Sequence, residues 1–491
     1  MLVKNYVGSR WVESLSKESN EVLNPATGEV IARTPKGTVE DVQAAVKIAN
    51  EAFKSWRKVP ATERIQYLFR IKALIEQNDQ ELIKIITIEN GKTVVEAKGS
   101  LHRAIQMIET AAGIPNLMMG DYFSDIAPGI DSQMVRRPLG VFAAITPFNF
   151  PVMIPFWFWP FAIACGNTFV LKVSERVPLS AVKVFELIDK LNLPKGVINL
   201  VHGGKEVAQE LCRHPLVKGI SFVGSTAVAK EIYNVGCSHG KRVQALGGAK
   251  NIMVFTSDAL DSAFCVKNVQ TAVESVTGCA GERCLAGSLL LSVGEASYGL
   301  LQKEVLRAAQ QIQVGNGLDE TVDMGPLISQ AAKDRVLALI DKALAQGAKL
   351  LLDGRKIAKE SGFFLGPTVL GEVTASMEIA QVEVFGPVIL LGKTPSLDQA
   401  IAWINSSSYA NTCTLFTNSG AHARKFSHEV EPGMVGINIG VPAPMSFFSF
   451  GGSKSSFFGD VKVHGKDCIQ FFTETQTTLS RWAGESGVWS K

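Results

Sequence analysis

A cysteine among small residues is where chemistry is easiest to place in this chain. Cys284 stands in the run Gly278-Cys279-Ala280-Gly281-Glu282-Arg283-Cys284-Leu285-Ala286-Gly287. Small neighbours let the backbone approach a ligand and leave the sulfur open to reaction. Arg283 alongside favours the thiolate, the nucleophilic form. The same pattern also suits a packing cysteine, since free thiols are among the most buried side chains. Asn149 is the second candidate, in Pro147-Phe148-Asn149-Phe150-Pro151. Held between aromatics and prolines, its amide can donate to a developing oxyanion. A helix-capping turn is the plainer reading.

Three further stretches carry polar groups at the ends of expected strands. Phe222-Val223-Gly224-Ser225-Thr226 runs from a strand into a helix N-terminus, where a pyrophosphate can bind. It lacks the GxGxxG spacing of the common dinucleotide fingerprint. In Lys172-Val173-Ser174-Glu175-Arg176, Lys172 and Glu175 can hold ribose hydroxyls, or can simply form a solvated loop. Glu383-Val384-Phe385-Gly386-Pro387 sets a carboxylate before an aromatic and a turn. No Cys/His cluster has metal-binding spacing, so no metal site is expected.

These positions need elements to hold them. Short apolar runs at Val141–Ile145, Thr168–Lys172, 196–201 and 219–223 read as buried strands, with helical spacing over 179–191 and 206–213 between them. Strand and helix in alternation imply a parallel sheet covered on both faces. A second series starts near Asn251 with IMVF, SLLLSV, VILLG and CTLF. Helices over Val39–Trp56 and 61–90 precede the first sheet, and residues 467–481 read as an alternating exposed strand.

At 491 residues several domains are expected. A net charge of +3 without like-charge blocks argues against nucleic acid and acidic membranes as partners. Eight scattered cysteines and an N-terminus with neither signal nor transit pattern predict reduced thiols in the cytoplasm. Residues 146–171 carry no charge over a bilayer-spanning length. Four prolines interrupt them, so a buried loop, helix and strand are expected instead.

Taken together and in this order, the five motifs resemble the aldehyde dehydrogenase superfamily over nearly the whole chain, from Asn24-Pro25-Ala26-Thr27-Gly28 onward. The resemblance implies an α/β fold. It would comprise a Rossmann-like parallel-sheet NAD domain (1–122 and 142–252), a second α/β catalytic domain (253–448) and a small β oligomerisation element (123–141 and 449–491). Cys284 would be the nucleophile and Asn149 the oxyanion donor. Phe148, Lys172, Glu175, Arg176 and Ser225 would contact NAD, Glu383 the nicotinamide ribose, and Phe385 would pack near the ring.

Hydrolytic members carry Glu-Leu-Gly-Gly-Lys, whose Glu activates the deacylating water. Here the segment is Ala245-Leu246-Gly247-Gly248-Ala249-Lys250, so Ala245 or Leu246 takes the Glu position and neither can accept a proton. The same departure marks the coenzyme-A-acylating branch that oxidises methylmalonate semialdehyde. This chain also resembles that branch at Lys241-Arg242-Val243-Gln244, Met118-Met119-Gly120-Asp121, 440–445 and 454–459. The branch grips a substrate carboxylate with two arginines, which fall on Arg103 and Arg283; read alone, Arg103 is a helix-surface charge. The implied reaction takes methylmalonate or malonate semialdehyde, NAD and coenzyme A to propionyl-CoA or acetyl-CoA with decarboxylation. A hydrolytic enzyme with a relocated base, and a non-catalytic cofactor-binding member, are the alternatives. A homo-oligomer, dimer or tetramer, is expected through the unpaired edge of the C-terminal strand.

Overall fold

The computed structural model describes residues 1–357 and 361–481, so residues 482–491 of the expected oligomerisation element lie outside the described part. An eight-stranded sheet has Thr168–Lys172, Val141–Ile145, Val217–Val223 and Arg242–Leu246 as parallel neighbours, with Ile198–Val201 beyond the first. In chain order these five strands stand third, second, first, fourth, fifth. The order therefore reverses between Val141–Ile145 and Val217–Val223, where a crevice opens beyond the carboxyl ends of the strands. Their central residues are buried on both faces, which explains the unbroken apolar runs.

A second sheet of seven strands orders Lys349–Leu352, Thr368–Gly371, Val388–Thr394, Leu289–Val293, Ile252–Phe255, Thr412–Phe416 and Met434–Ile437. All its pairings are parallel except the first. The α/β expectation holds for both sheets. Strands Asp121–Ala127, Ile130–Pro138 and Thr473–Arg481 form a separate three-stranded sheet, in which Thr473–Arg481 is paired on one side only.

Two element expectations need correction. Residues 61–90 are two helices, Ala61–Gln77 and Asp79–Asn90, because the Asn78 side chain donates back to the Leu74 carbonyl (2.7 Å) and turns the chain between them. Residues 467–481 are not all strand. Helix Gly465–Phe472 comes first, burying Cys468, Ile469, Phe471 and Phe472 at helical spacing, and the strand begins at Thr473. The uncharged stretch 146–171 folds into helices Met153–Phe156 and Trp159–Ala164 within the core. Among the described residues no helix is long and apolar enough to cross a membrane.

Helix Val94–Ala112 brings one wall of the site. It starts at a reciprocal cap in which Thr93 Oγ1 accepts from Glu96 N (3.3 Å) and Glu96 Oε2 accepts from Thr93 N (3.0 Å). Glu96, Gly99, Ser100, Arg103 and Met107 follow at spacings of three and four, so they share one face, and that face lines a cavity.

Candidate active site

Cys284 lies where two cavities meet. One, of about 440 Å³, is lined by Arg103, Arg283, Phe150, Trp157, Phe450 and both Cys279 and Cys284. The other is a cleft holding Phe148, Asn149, Arg176, Ser225, Glu282, Cys284, Glu383 and Phe385. It runs on past Arg176 and Ser225 to Lys172 and Glu175. Every residue nominated from the sequence therefore lines one of these spaces, and the nucleophile candidate is the one nominated residue that faces both.

The backbone around Cys284 is held firmly. Asn251 Nδ2 and Asn411 Nδ2 each donate to the Cys284 carbonyl at 2.9 Å. Ahead of it Cys279 and Ala280 both have φ of +52° and Gly281 has +75°, a left-handed run that non-glycine residues adopt at a cost. Gly281 must lack a side chain, since a Cβ there would stand 2.2 Å from the Gly386 carbonyl. That contact ties the nucleophile loop to the Glu383–Pro387 motif. Phe385, itself at φ +51°, meets the Phe148 ring edge-on at 6.0 Å.

Asn149 is 5% exposed. Its Nδ2 donates to the Glu282 carbonyl (3.0 Å), which leaves one amide hydrogen to give. Glu383 Oε1 accepts from Ala249 N (3.0 Å), and a Cβ on Gly248 would meet Glu383 Oε2 at 2.8 Å. The glycine pair of the 245–250 segment thus makes room for that carboxylate. Ala245 and Leu246 are buried in the first sheet and present no acid there.

Arg283 pulls the Cys284 thiol down as the sequence suggested, but it makes its close contacts elsewhere and burial outweighs it. Its Nη2 lies 3.6 Å from Glu96 Oε1 and its Nε donates to Cys279 Sγ (3.4 Å), while Gly278 leaves the space its guanidinium fills. Burial and then the Glu383 charge push the Cys284 thiol up to about 12, against the smaller opposing pull of Arg283. Burial also raises Glu383 to about 7 and Glu282 to about 8. Arg103 touches Gln106 Oε1 (3.1 Å), Met445 Sδ (3.4 Å) and the Ala443 carbonyl (3.5 Å), with no carboxylate among the described residues within 4.0 Å. The cavity therefore holds two guanidiniums against one carboxylate and suits a monoanionic ligand.

The cleft also fits a dinucleotide. Helix Thr226–Ser238 opens towards it with Ser225 as its uncapped N-terminal residue, leaving backbone N–H groups for a pyrophosphate. Gly224 is needed there, because a Cβ would meet the Phe222 ring at 2.5 Å. Lys172 Nζ and Glu175 Oε2 pair at 3.1 Å at the far end, so the two groups read from the sequence as ribose contacts come together.

Sequence reading missed Glu96, Asn251, Asn411 and Lys92, whose Nζ donates to the Asn149 carbonyl (2.6 Å). For Glu96 a signal existed, since Thr93-x-x-Glu96 is a capping-box pattern. For the others the partners lie too far along the chain for spacing to reveal them.

Comparison with known proteins agrees with this layout. The aldehyde dehydrogenase family profile matches residues 11–478. A malonate-semialdehyde dehydrogenase of Bacillus cereus is 48% identical over 98% of each chain, and one from Geobacillus kaustophilus is 46% identical over 98% of this chain and 99% of its own. The solved methylmalonate-semialdehyde dehydrogenase of Oceanimonas doudoroffii superposes with a TM-score of 0.96 at 39% identity, covering 99% of both chains. A Sinorhizobium meliloti protein assigned to the same enzymes and solved with NAD gives 0.96 at 36%, again over 99% of both.

The raised thiol is open to direct measurement. In cofactor-free protein, alkylation at Cys284 by iodoacetamide is expected to keep accelerating with pH beyond the ordinary thiol value of about 8.5. Glu383→Gln removes a negative charge and is expected to speed the reaction several-fold at about pH 8. A rate that levels off below that pH and ignores Glu383→Gln would contradict the assignment.

Proposed function

This chain belongs to the aldehyde dehydrogenase family, and on that premise we propose that it oxidises malonate and methylmalonate semialdehyde with NAD and passes the acyl group to coenzyme A. The products are acetyl-CoA and propionyl-CoA, with carbon dioxide lost. The observation that carries this reading is the pair Arg103 and Arg283 in the cavity that reaches Cys284. Relatives 48% identical carry the malonate-semialdehyde dehydrogenase name, which supports the same choice.

In this reading the two guanidiniums hold the substrate carboxylate and turn the aldehyde carbon towards Cys284. Cys284 Sγ attacks that carbon, and the remaining Asn149 amide hydrogen and the Cys284 backbone N–H receive the oxyanion. NAD in the adjoining cleft supplies the hydride acceptor, with Glu383 on its ribose, Phe148 and Phe385 beside the ring, and Lys172, Glu175, Arg176 and Ser225 along its length. Cys284 is left as a malonyl or methylmalonyl thioester; its C–C bond to the carboxylate breaks to release carbon dioxide, and the electron pair passes into the thioester enolate, which then takes a proton. Ala245 and Leu246 cannot activate water, so the thiolate of coenzyme A takes the acyl group.

A hydrolytic reading is favoured by one observation. Glu282 lines the same cleft as Cys284 and is raised to about 8 by burial, so it would be a relocated base. It is engaged, however, by the Ile328 N–H at 3.2 Å. Residues 1–122 with 142–252, 253–448, and 123–141 with 449–491 serve in this account as cofactor, catalytic and oligomerisation parts. The half-paired strand Thr473–Arg481 and the exposed Tyr122, Phe123 and Leu479 support assembly into a homo-oligomer, and the eight free cysteines support a reducing, cytoplasmic setting.

Two outcomes are expected. Mixing the enzyme with NAD and malonate semialdehyde, without coenzyme A, should give a burst of about one NADH per site, absent from Cys284→Ala; a burst from that variant would remove Cys284 from the chemistry. Arg103→Leu should cost about 2–3 kcal/mol of transition-state binding for carboxylated aldehydes, roughly 30- to 150-fold in kcat/KM, while propanal is little affected. Equal losses on both substrates would argue against carboxylate recognition.

A further inference from the structure

We propose that Lys92 is a positioning residue for the Asn149 amide, an inference that rests on Asn149 being the oxyanion donor. Lys92 lies in the turn between helices Asp79–Asn90 and Val94–Ala112 and is 2% exposed. Taking an ammonium out of water is costly unless it is hydrogen-bonded and neutralised. Yet no carboxylate of the described residues lies within 4.0 Å of Nζ. Its direct contacts are the Asn149 carbonyl at 2.6 Å and the Phe150 ring, whose centroid is 4.0 Å away. Burial pushes the Lys92 pKa down, and Cys279 and Glu96 oppose that from farther off while Arg283 reinforces it. A buried charge spent on one backbone carbonyl needs a purpose, and the residue that owns the carbonyl supplies it.

The turn is shaped for this contact. Gly91 has φ +91°, which puts Asn90 and Lys92 against the same loop, and Asn90 Nδ2 donates to the Phe148 carbonyl at 3.0 Å. Two successive carbonyls of the Phe148-Asn149 segment are thus gripped from one turn. The turn is itself wedged: a Cβ on Gly317 would stand 2.4 Å from the Lys92 carbonyl, and one on Gly325 would stand 1.9 Å from the Gly91 carbonyl. From the other side the Glu282 carbonyl fixes one hydrogen of the Asn149 amide (3.0 Å). With main chain and one amide hydrogen both held, the direction of the second hydrogen is set.

A double-mutant cycle tests this, read as the NADH burst rate on malonate semialdehyde. Asn149→Ala and Lys92→Met are each expected to slow the burst on the order of 10²-fold, with KM for NAD and aldehyde changed by less than about twofold. Combined, they are expected to be slower than Asn149→Ala alone by no more than about twofold, because both remove one effect. Losses that multiply to roughly 10⁴-fold, or a Lys92→Met enzyme with the wild-type burst, would overturn the role of Lys92. Should Lys92→Met fail to fold, Lys92→Gln keeps a donor for the carbonyl without the charge. Its smaller loss must likewise vanish in the Asn149→Ala background, and a loss that persists there overturns the proposal. An Asn149→Ala enzyme with the wild-type burst overturns the oxyanion reading itself, and the single variant alone reveals that.

Discussion

Two side-chain amides converge on one oxygen, the carbonyl of Cys284, and the rest of the site depends on that convergence. Asn251 and Asn411 stand immediately before the adjacent parallel strands Ile252–Phe255 and Thr412–Phe416, so the second sheet itself holds Cys284. Asn149 follows the strand Val141–Ile145, so its amide hangs from the first sheet. The Asn149 to Glu282 hydrogen bond joins the two. A buried donor left unsatisfied costs about 1–3 kcal/mol, and the amide nitrogens of Asn149, Asn251 and Asn411 each find a carbonyl here.

The electrostatics then divide the two spaces that meet at Cys284. The cavity holds Arg103 and Arg283 against Glu96, and the cleft holds the buried carboxyls Glu282 and Glu383. A thiol pushed up to about 12 by burial and by Glu383 is a poor nucleophile at rest. In the proposed reaction, a ligand that draws the Glu383 charge away would lower the thiol towards its ordinary value.

Much of this was legible in the residues, for identifiable reasons. Val141–Ile145 and Thr168–Lys172 were readable as strands because both faces are buried and the runs are unbroken. The motif residues fall beside the cavities because each sits at the end of such a strand or loop. Local competition defeated the reading at Asn78, where a side-chain hydrogen bond interrupts an otherwise helical pattern, and at 467–472, where a short helix carries apolar residues that also fit alternation. Arg283 pulls on Cys284 in the expected direction, but burial outweighs it, and its close partners, Glu96 and Cys279, depend on a left-handed loop that spacing does not reveal. Lys92, Asn251 and Asn411 act across 57, 33 and 127 residues of chain. Contacts of that range are products of the fold.

In the proposed reaction the acyl group on Cys284 passes to a thiol because Ala245 and Leu246, at the position of the hydrolytic base, cannot activate water. Product analysis during steady turnover of malonate semialdehyde with NAD, in the presence and absence of coenzyme A, tests it most directly. The account predicts sustained NADH formation only with coenzyme A, with acetyl-CoA accumulating in step. Sustained turnover to a free acid without coenzyme A would contradict it and would make Glu282 the first residue to examine as the base.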